Sequence, residues 1–508
     1  MPSDVSLTLI VFIPLIGAMV IALLPVRTDL ERFRVRTGAL LATGLPLAIA
    51  IFDLLGEVGN PAQGAIAQPS IDAPWLRGFY FQLDYHLGVD GLSLMLLFAV
   101  TAVFPALVLA SWRMRERTRS HFALLLIAET SLAGYFATQD LMLLVLFFWL
   151  PVFPLALLVG SGSRPGAREA GRRLLVTQSL GAAALLVAAL LMLLQTGNTT
   201  FNFVTLSTVG PVKGAPGLIV AGLLLFAFGA RMAIFPLQRW LLDGVAAAPT
   251  PVAMLLAVSS FPVGAYGLVR VLLGMDPRGG LQLVVPVLLL AVLTLYWSAL
   301  RAVGERDLRR ATAGLLAGSS GPVLLGIISF SETSLSGALW LAFALTFIAP
   351  LLVLAIGAVA DRGGGAEVSA IAGRAAGADR LKLMFAVGAA SLGGVPFLVG
   401  FPGVFQVVVG SFAEHRFITS AVIVGMGLLA YAAWRVGTGP FWAPGAEPEL
   451  ADPIADSRGS EFYAGWWLAA AAVVFGITAG YFVPYTVHGT DLVAARVSSM
   501  APAKVPGK

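Results

Sequence analysis

The sequence predicts an all-α polytopic membrane protein of about fourteen transmembrane helices, and three observations carry that reading. Of its 508 residues, 58% are hydrophobic and only 12% are charged, with a mean hydropathy of +0.89. A soluble globular domain carries about 25% charged residues and cannot hide so much apolar surface. Apolar runs of roughly 18 to 25 residues recur along the whole length, each long enough to cross a hydrocarbon core of about 30 Å as a helix. Between them, arginine-rich and arginine-poor loops alternate. A transmembrane β-barrel would show short alternating segments instead.

Taken in order, the runs fall near 6–24, 38–55, 91–112, 121–138, 141–160, 173–195 and 217–237, then 250–273, 281–303, 311–329, 335–359, 382–412, 417–436 and 464–484. The first lacks a basic flank before it and is followed by more of the same, so it reads as a helix and not as a cleaved signal peptide. Arg27, Arg32, Arg34 and Arg36 share one side with Arg113, Arg115, Arg117 and Arg119 and with Arg164, Arg168, Arg172 and Arg173. Arg239, Arg301, Arg306, Arg309, Arg310, Arg362, Arg374, Arg380, Lys382 and Arg458 fall there too. Roughly two thirds of the 32 basic residues therefore occupy that side, which the positive-inside rule makes cytoplasmic. Both termini are then expected on the periplasmic face of a bacterial inner membrane. The formal net charge of +5 reads as this orientation signal and not as a nucleic-acid footprint.

Two segments interrupt the helical pattern: Phe235-Pro236 in the seventh run, and Gly393-Gly394-Val395-Pro396 with Gly400-Phe401-Pro402-Gly403 in the twelfth. Proline removes an amide donor and clashes with the preceding turn, so both helices should be discontinuous. Interrupted helices at matching positions in two halves of a transporter mark its ion path. The expected organisation is residues 1–120 as three leading helices, 121–273 and 281–436 as two inverted five-helix repeats, and 437–508 as an acidic loop, a last helix and a tail.

Cysteine is absent, which excludes disulfides, thiolate metal sites and cysteine nucleophiles. The four histidines form no metal-ligand pair at helical spacing. Phosphate-binding Gly-x-x-x-x-Gly-Lys, Gly-x-Ser-x-Gly and His-Glu-x-x-His signatures are all missing, so neither a cofactor nor catalytic chemistry is expected in this chain.

Three stretches carry a family likeness. They are His86-Leu-Gly-Val-Asp90-Gly-Leu-Ser93 running into Leu-Ala-Ser-Trp112; Arg231-Met-Ala-Ile-Phe235-Pro-Leu-Gln-Arg-Trp240-Leu-Leu-Asp243 with Ala-Pro249-Thr250-Pro and Gly264-Ala-Tyr266-Gly-Leu-Val-Arg270; and Arg306-Asp307-Leu-Arg309-Arg310 leading to Leu-Leu-Gly326-Ile. In this order and on these helices, the chain resembles the antiporter-like subunit M of respiratory complex I, within the superfamily that also holds cation/proton antiporter subunits. The resemblance implies a half-channel in each repeat, joined along the midplane by a row of Glu, Lys and His. Such groups hold and release protons because burial and neighbours move their pKa values toward neutrality.

Much of that row is replaced here. The family's Glu after Phe-Trp aligns with Leu150, the seventh-helix Lys with Arg231, the eighth-helix Lys with Pro262, and the Glu of the broken twelfth helix with Val404. Family histidines fall near Ser319, Leu345, Gln238 and Val245. Among the charged residues that remain, Glu129 lies mid-way along the fourth helix, where an ionised carboxylate is expensive unless paired or hydrated. It reads as a proton-path residue, as a carboxylate facing a subunit boundary, or as one held neutral by a helix neighbour. Arg231 should be buried and paired, with Glu129 or with backbone carbonyls, because an unpaired buried charge is strongly destabilising.

Asp140 reads as a helix cap, as do Asp90 and Ser93, and Arg173 as a snorkelling end charge. Asp243 holds the broken helix through loop amides or pairs with Arg239, and Glu305 with Asp307 forms a solvated cluster. The expected function is a membrane-arm subunit of a complex I-like NADH:quinone oxidoreductase, meeting lipid and other arm subunits directly and quinone only through the assembly. Rival readings are a purely structural arm subunit, or a subunit of a cation/proton antiporter or an inorganic-carbon uptake pair.

Overall fold

The computed structural model describes residues 3–57, 68–76, 83–196, 200–209, 214–443 and 452–500. Residues 444–451 of the acidic loop and the tail from 501 lie outside the described residues. The first half runs α1 (Ser3–Leu23), α2 (Asp29–Glu57), β1 (Gln68–Leu76), β2 (Leu83–Val89), α3 (Gly91–Ala110), α4 (Thr118–Ala137), α5 (Leu141–Trp149), α6 (Val152–Gly160), α7 (Ala167–Thr196), α8 (Phe203–Val209), α9 (Ala215–Arg231), α10 (Arg239–Ala247), α11 (Thr250–Val258) and α12 (Phe261–Gly267). A π-helical turn over Leu268–Leu273 follows, then α13 (Pro277–Gln282), α14 (Val284–Gly304), α15 (Leu308–Gly318), α16 (Ser320–Ile328), α17 (Glu332–Arg362), α18 (Val368–Ile371), α19 (Asp379–Leu392), α20 (Gly400–Gly437), α21 (Ser460–Ile477) and α22 (Ala479–Met500).

Among the described residues, twelve helical stretches are long and apolar enough to cross a membrane. Three of them, 250–273, 308–328 and 332–362, are buried along their whole apolar stretch, away from their ends, and form the centre of the bundle. The stretches at the periphery, such as α14 and α21, leave most of their surface free. Ala215–Arg231 is a shorter apolar helix, and α20 bends at His415, which has φ −136° and ψ 50°. Among the described residues, β1 and β2 pair as an antiparallel ribbon. It fixes the start of α5, because His86 O accepts the Gln139 amide at 3.0 Å.

Both expected interruptions are present, over residues 232–238 between α9 and α10 and over 393–399 between α19 and α20. Ala233 (φ 56°) turns the first and Gly394 (φ 71°) the second. Each leaves carbonyls that no longer have a helical amide, and an indole satisfies one at each break: Trp240 Nε1 donates to Ala230 O at 2.8 Å and Trp340 Nε1 to Val399 O at 2.8 Å. Three further interruptions escape the sequence reading. The run 141–160 divides at Leu150–Pro151, 250–273 at Ser259–Ser260 ahead of Pro262, and 308–328 at Ser319 ahead of Pro322. In each case a proline lacks the amide that would continue the ladder.

Helix α20 lies very close to α17, because glycine faces the contact. A Cβ on Gly410 would sit 2.4 Å from Ser334 N and 2.7 Å from Ser331 Oγ. Without a hydrophobic drive between helices in lipid, such close backbone approach supplies the packing. Gly410→Ala is therefore expected to lower stability by about 1–3 kcal/mol. Gly222→Ala, where a Cβ meets nothing within 4 Å, should be neutral or stabilising by up to about 1 kcal/mol. Thermal midpoints of the two variants in one detergent check this, and equal midpoints would contradict the close-packing assignment.

Candidate functional site: a buried arginine between two broken helices

Arg231 ends α9, immediately before the first break, and is wholly buried. Its Nη2 donates to Phe148 O at 2.5 Å and its guanidinium carbon lies 4.6 Å from the Phe148 ring centroid. Nε and Nη1 have no partner. Tyr135 packs on Phe148 at 6.1 Å and on Tyr266 at 5.6 Å between centroids, with its hydroxyl donating to Val263 O at 2.9 Å. The charge thus sits in an aromatic box and is met by one carbonyl and one ring face. No carboxylate lies within ion-pairing reach of it among the described residues.

The expected pairing of Glu129 with Arg231 is not what the chain does. Glu129 is wholly buried and neither carboxylate oxygen has a hydrogen-bond partner. Its helix α4 packs chiefly on α1, α2 and α3, whereas α9 packs on α7 and α12. α4 reaches the Arg231 box through Tyr135, packed on Phe148, but not through Glu129, whose oxygens meet no donor.

The break beside Arg231 is joined to later helices by hydroxyls. Ser320 Oγ of α16 donates to Met232 O at 2.6 Å, and Phe235 N donates to Thr294 Oγ1 of α14 at 3.0 Å. Of the replaced positions, Leu150 stands at the α5–α6 interruption two residues after the carbonyl that meets Arg231. Pro262 opens α12, and Val404 lies against Gly394 of the second break, 3.3 Å from where its Cβ would be.

On the arginine-rich side, Asp243 of α10 is an ionic hub. It pairs with Arg173, with Arg310 at 3.1 Å and with Arg239 at 3.6 Å. Arg173 is accordingly a clasp residue and not a snorkelling end charge, holding Glu169 at 3.1 Å as well. A second clasp centres on Arg309, which is buried. It donates to Asp361 at 2.7 Å, Thr250 Oγ1 at 2.8 Å, Gly357 O at 3.0 Å and Ala248 O at 3.1 Å. The two clasps line a cavity of about 800 Å³. Asp307 caps α15 through the amides of Arg309 and Arg310, both at 2.9 Å, so the cluster expected to be merely solvated is partly structural.

On the opposite side, Asp90 and Ser93 form a reciprocal cap on α3, and Asp140 caps α5 through Met142 N at 2.8 Å and Leu143 N at 3.0 Å. Arg270 joins the two caps, bonding Asp90 and the neighbouring Gln139. Sequence reasoning did not single out Arg270, Arg309, Asp361 or Asp276. Asp276 lies in the turn before α14, is fully buried, accepts Gly279 N at 3.2 Å and leaves Oδ2 unpartnered. Burial pushes its carboxyl up to about 6.

Residues 138–429, more than half of the chain, match the model of the NADH:quinone oxidoreductase/Mrp antiporter transmembrane family. The chain belongs to that family. It is 28% identical to NADH-quinone oxidoreductase subunit M of Rhodobacter capsulatus, over 84% of this chain and 85% of that one. It is 30% identical to NAD(P)H-quinone oxidoreductase chain 4-3 of a Nostoc species, over 80% of this chain and 71% of that one. A chain of Thermus thermophilus respiratory complex I superposes with a TM-score of 0.84 at 23% identity, covering 98% of this chain and all of that one. A chain of the Mrp complex from a Dietzia species superposes with a TM-score of 0.82 at 18% identity, again over 98% and 100%. In this chain of the family, the buried Arg231 faces a carbonyl and a ring, with no carboxylate in ion-pairing reach among the described residues.

Two outcomes follow from these clusters. Asp243→Asn leaves three arginines without their shared anion and should lower stability by about 1–3 kcal/mol, less in high salt because the repulsion is screened. Melting curves at low and high salt check it, and a salt-independent loss would refute the electrostatic account. For Asp276 the folded pKa of about 6 exceeds the ordinary carboxylate value near 3.9, so the folded state binds more protons between those two pH values. Its contribution is then most favourable at low pH and is lost as pH rises through about 6. Asp276→Asn should gain stability over the parent at pH 7 and lose that advantage by about pH 4. A constant difference across that range would contradict the burial argument.

Proposed function

We propose that the chain serves as an antiporter-like membrane-arm subunit of a complex I-like NADH:quinone oxidoreductase, and that it moves protons poorly or not at all along the midplane route. The observation that carries the second half is Arg231. An arginine effectively cannot deprotonate in a protein, and its fixed charge in a low-dielectric path repels an excess proton. Leu150, Pro262 and Val404 have no proton to give. A stable buried water wants about three hydrogen bonds, and a route lined by Leu, Pro, Val and Phe offers too few partners. Glu129, buried and without a partner, is the one acidic group from which a rewired path would start. Asp140, Asp243 and Arg173 are held as cap and clasp, so their part in the proposal is to fix the helices around the route.

The fourteen-helix count and the two inverted repeats, 121–273 and 281–436, form part of this proposal. They are supported by the apolar Ala215–Arg231 helix, the bend at His415 and the indole-satisfied break in each half. The proposed setting is a bacterial inner membrane with both termini periplasmic, supported by the arginine asymmetry. The partners are other arm subunits, with quinone reached only through them. The fold's likeness to an Mrp chain keeps a cation/proton antiporter subunit as the second reading. Copurification of quinone- or NADH-oxidising subunits supports the first, and their absence the second.

The pumping ratio of the assembled complex with Glu129→Gln tests the silent-route proposal. An unchanged ratio is expected. A clear loss of pumping in Glu129→Gln, together with a continuous hydrated chain from Glu129 to the second break, would show that the path is rewired and active.

A further inference from the structure

The chain's positive charge is concentrated in one place. The segments 27–36, at the start of α2, and 113–119, leading into α4, hold eight arginines against Asp29, Glu31 and Glu116, an excess equal to the formal net charge of +5 of the entire chain. The segments are joined, since Arg36 Nη2 donates to Met114 O at 2.9 Å. Between them lies a cavity of about 520 Å³ lined by Arg27, Arg32, Arg115, Arg117 and Arg119, with Leu23 at its edge and no carboxylate in its wall.

The nearby acids are largely engaged elsewhere. Glu31 accepts the amides of Arg27 and Thr28 at 2.5 and 2.8 Å, and an exposed Asp29 holds only Arg32, at 2.6 Å. The amino end of α4 opens on the same cavity through Thr118, Arg119 and Ser120. No side chain caps that end, because Arg117 occupies the N-cap in a left-handed conformation with φ 50°. Free helix-end amides and guanidinium groups are complementary to one ligand chemistry, a phosphate.

A second feature decides which phosphate. Ile16, Met19, Val20 and Leu23 of α1 are exposed, at 54%, 54%, 54% and 86%. Their spacing of three, four and seven places them in one stripe along the helix. Leu23 both ends that stripe and lines the arginine cavity. A charged pocket thus sits at the end of a bare apolar track on a helix that crosses the membrane. A free anion would use the pocket and leave the track; an amphiphile uses both. Basic pockets between transmembrane helices on the cytoplasmic side are suited to anionic lipid headgroups.

We propose that this cavity binds the phosphate of an anionic phospholipid whose acyl chain lies along Ile16, Met19, Val20 and Leu23. The inference is independent of whether the chain conducts protons. It is tested on the full chain, within the assembly that purifies with it, by delipidation and native mass spectrometry with phosphatidylglycerol, phosphatidylcholine and inorganic phosphate as separate probes. Phosphatidylglycerol should bind in preference to phosphatidylcholine, and millimolar phosphate should not displace it. At about fivefold per arginine, Arg115→Gln with Arg117→Gln should weaken phosphatidylglycerol binding about 25-fold. Arg168→Gln, which removes an exposed arginine elsewhere on the same side, should not. If the double variant fails to fold, Arg27→Gln with Arg32→Gln reads the same site from the other segment. Equal binding of the two lipids, displacement by phosphate, or full binding in either double variant would overturn the proposal, the second in favour of a free-anion site and the third in favour of lipid held without these arginines.

Discussion

An interrupted helix inside a hydrocarbon must find new partners for the backbone groups it frees, since each one left unsatisfied costs several kcal/mol. That requirement organises this molecule. At the first break, Trp240 returns to Ala230 O, Ser320 reaches Met232 O and Thr294 accepts Phe235 N. At the second, Trp340 serves Val399 O, while Val399 N reaches Ala472 O of α21 at 2.9 Å. The serine and threonine come from helices of the later half, so the first break is stable only when that half is in place. The same need explains why 250–273, 308–328 and 332–362 are the stretches buried along their apolar length. They surround backbone that lipid could not solvate.

The parts of this architecture legible in the sequence are those decided by local rules. Apolar length finds the crossings, and Asp90 and Asp140 declare themselves as caps because a cap needs only the next three residues, whereas Asp307, read as part of a solvated cluster, caps α15 as well. The second break was readable for the same reason, from its glycines and prolines at 393–403, and the first from Pro236 taken together with its match to the second. The interruptions at Leu150, Ser259 and Ser319 were not, since a single proline in an apolar run is compatible with a kinked helix or a broken one. Which occurs depends on neighbours. Arg270 and Arg309 were missed because their partners stand 180 and 52 residues away. The Glu129–Arg231 pairing went wrong likewise: burial of each is a property of one helix, but pairing is a property of two.

Arg231 shows what a fixed buried cation requires. A lysine at a buried site loses its proton when desolvation outweighs its partners. Arginine keeps its charge and needs a permanent counterpart. Here that counterpart is a carbonyl dipole at 2.5 Å and an aromatic face at 4.6 Å, both neutral and both unable to change protonation. Phe148 supplies both, its carbonyl and its ring meeting the same guanidinium.

The two clasps on the arginine-rich side complete the argument about how the halves are held. Asp243 follows the first break directly and binds Arg310 from α15, while Asp361 at the end of α17 binds Arg309 and Thr250. Each carboxylate therefore bridges residues before 273 to residues after 281. Arginine–carboxylate pairs with partners on both sides of the seam resist separation, since pulling one apart leaves a charge without its counterpart. With hydroxyl links at the midplane and ionic clasps at one face, the seam is built to hold the two halves in one relation.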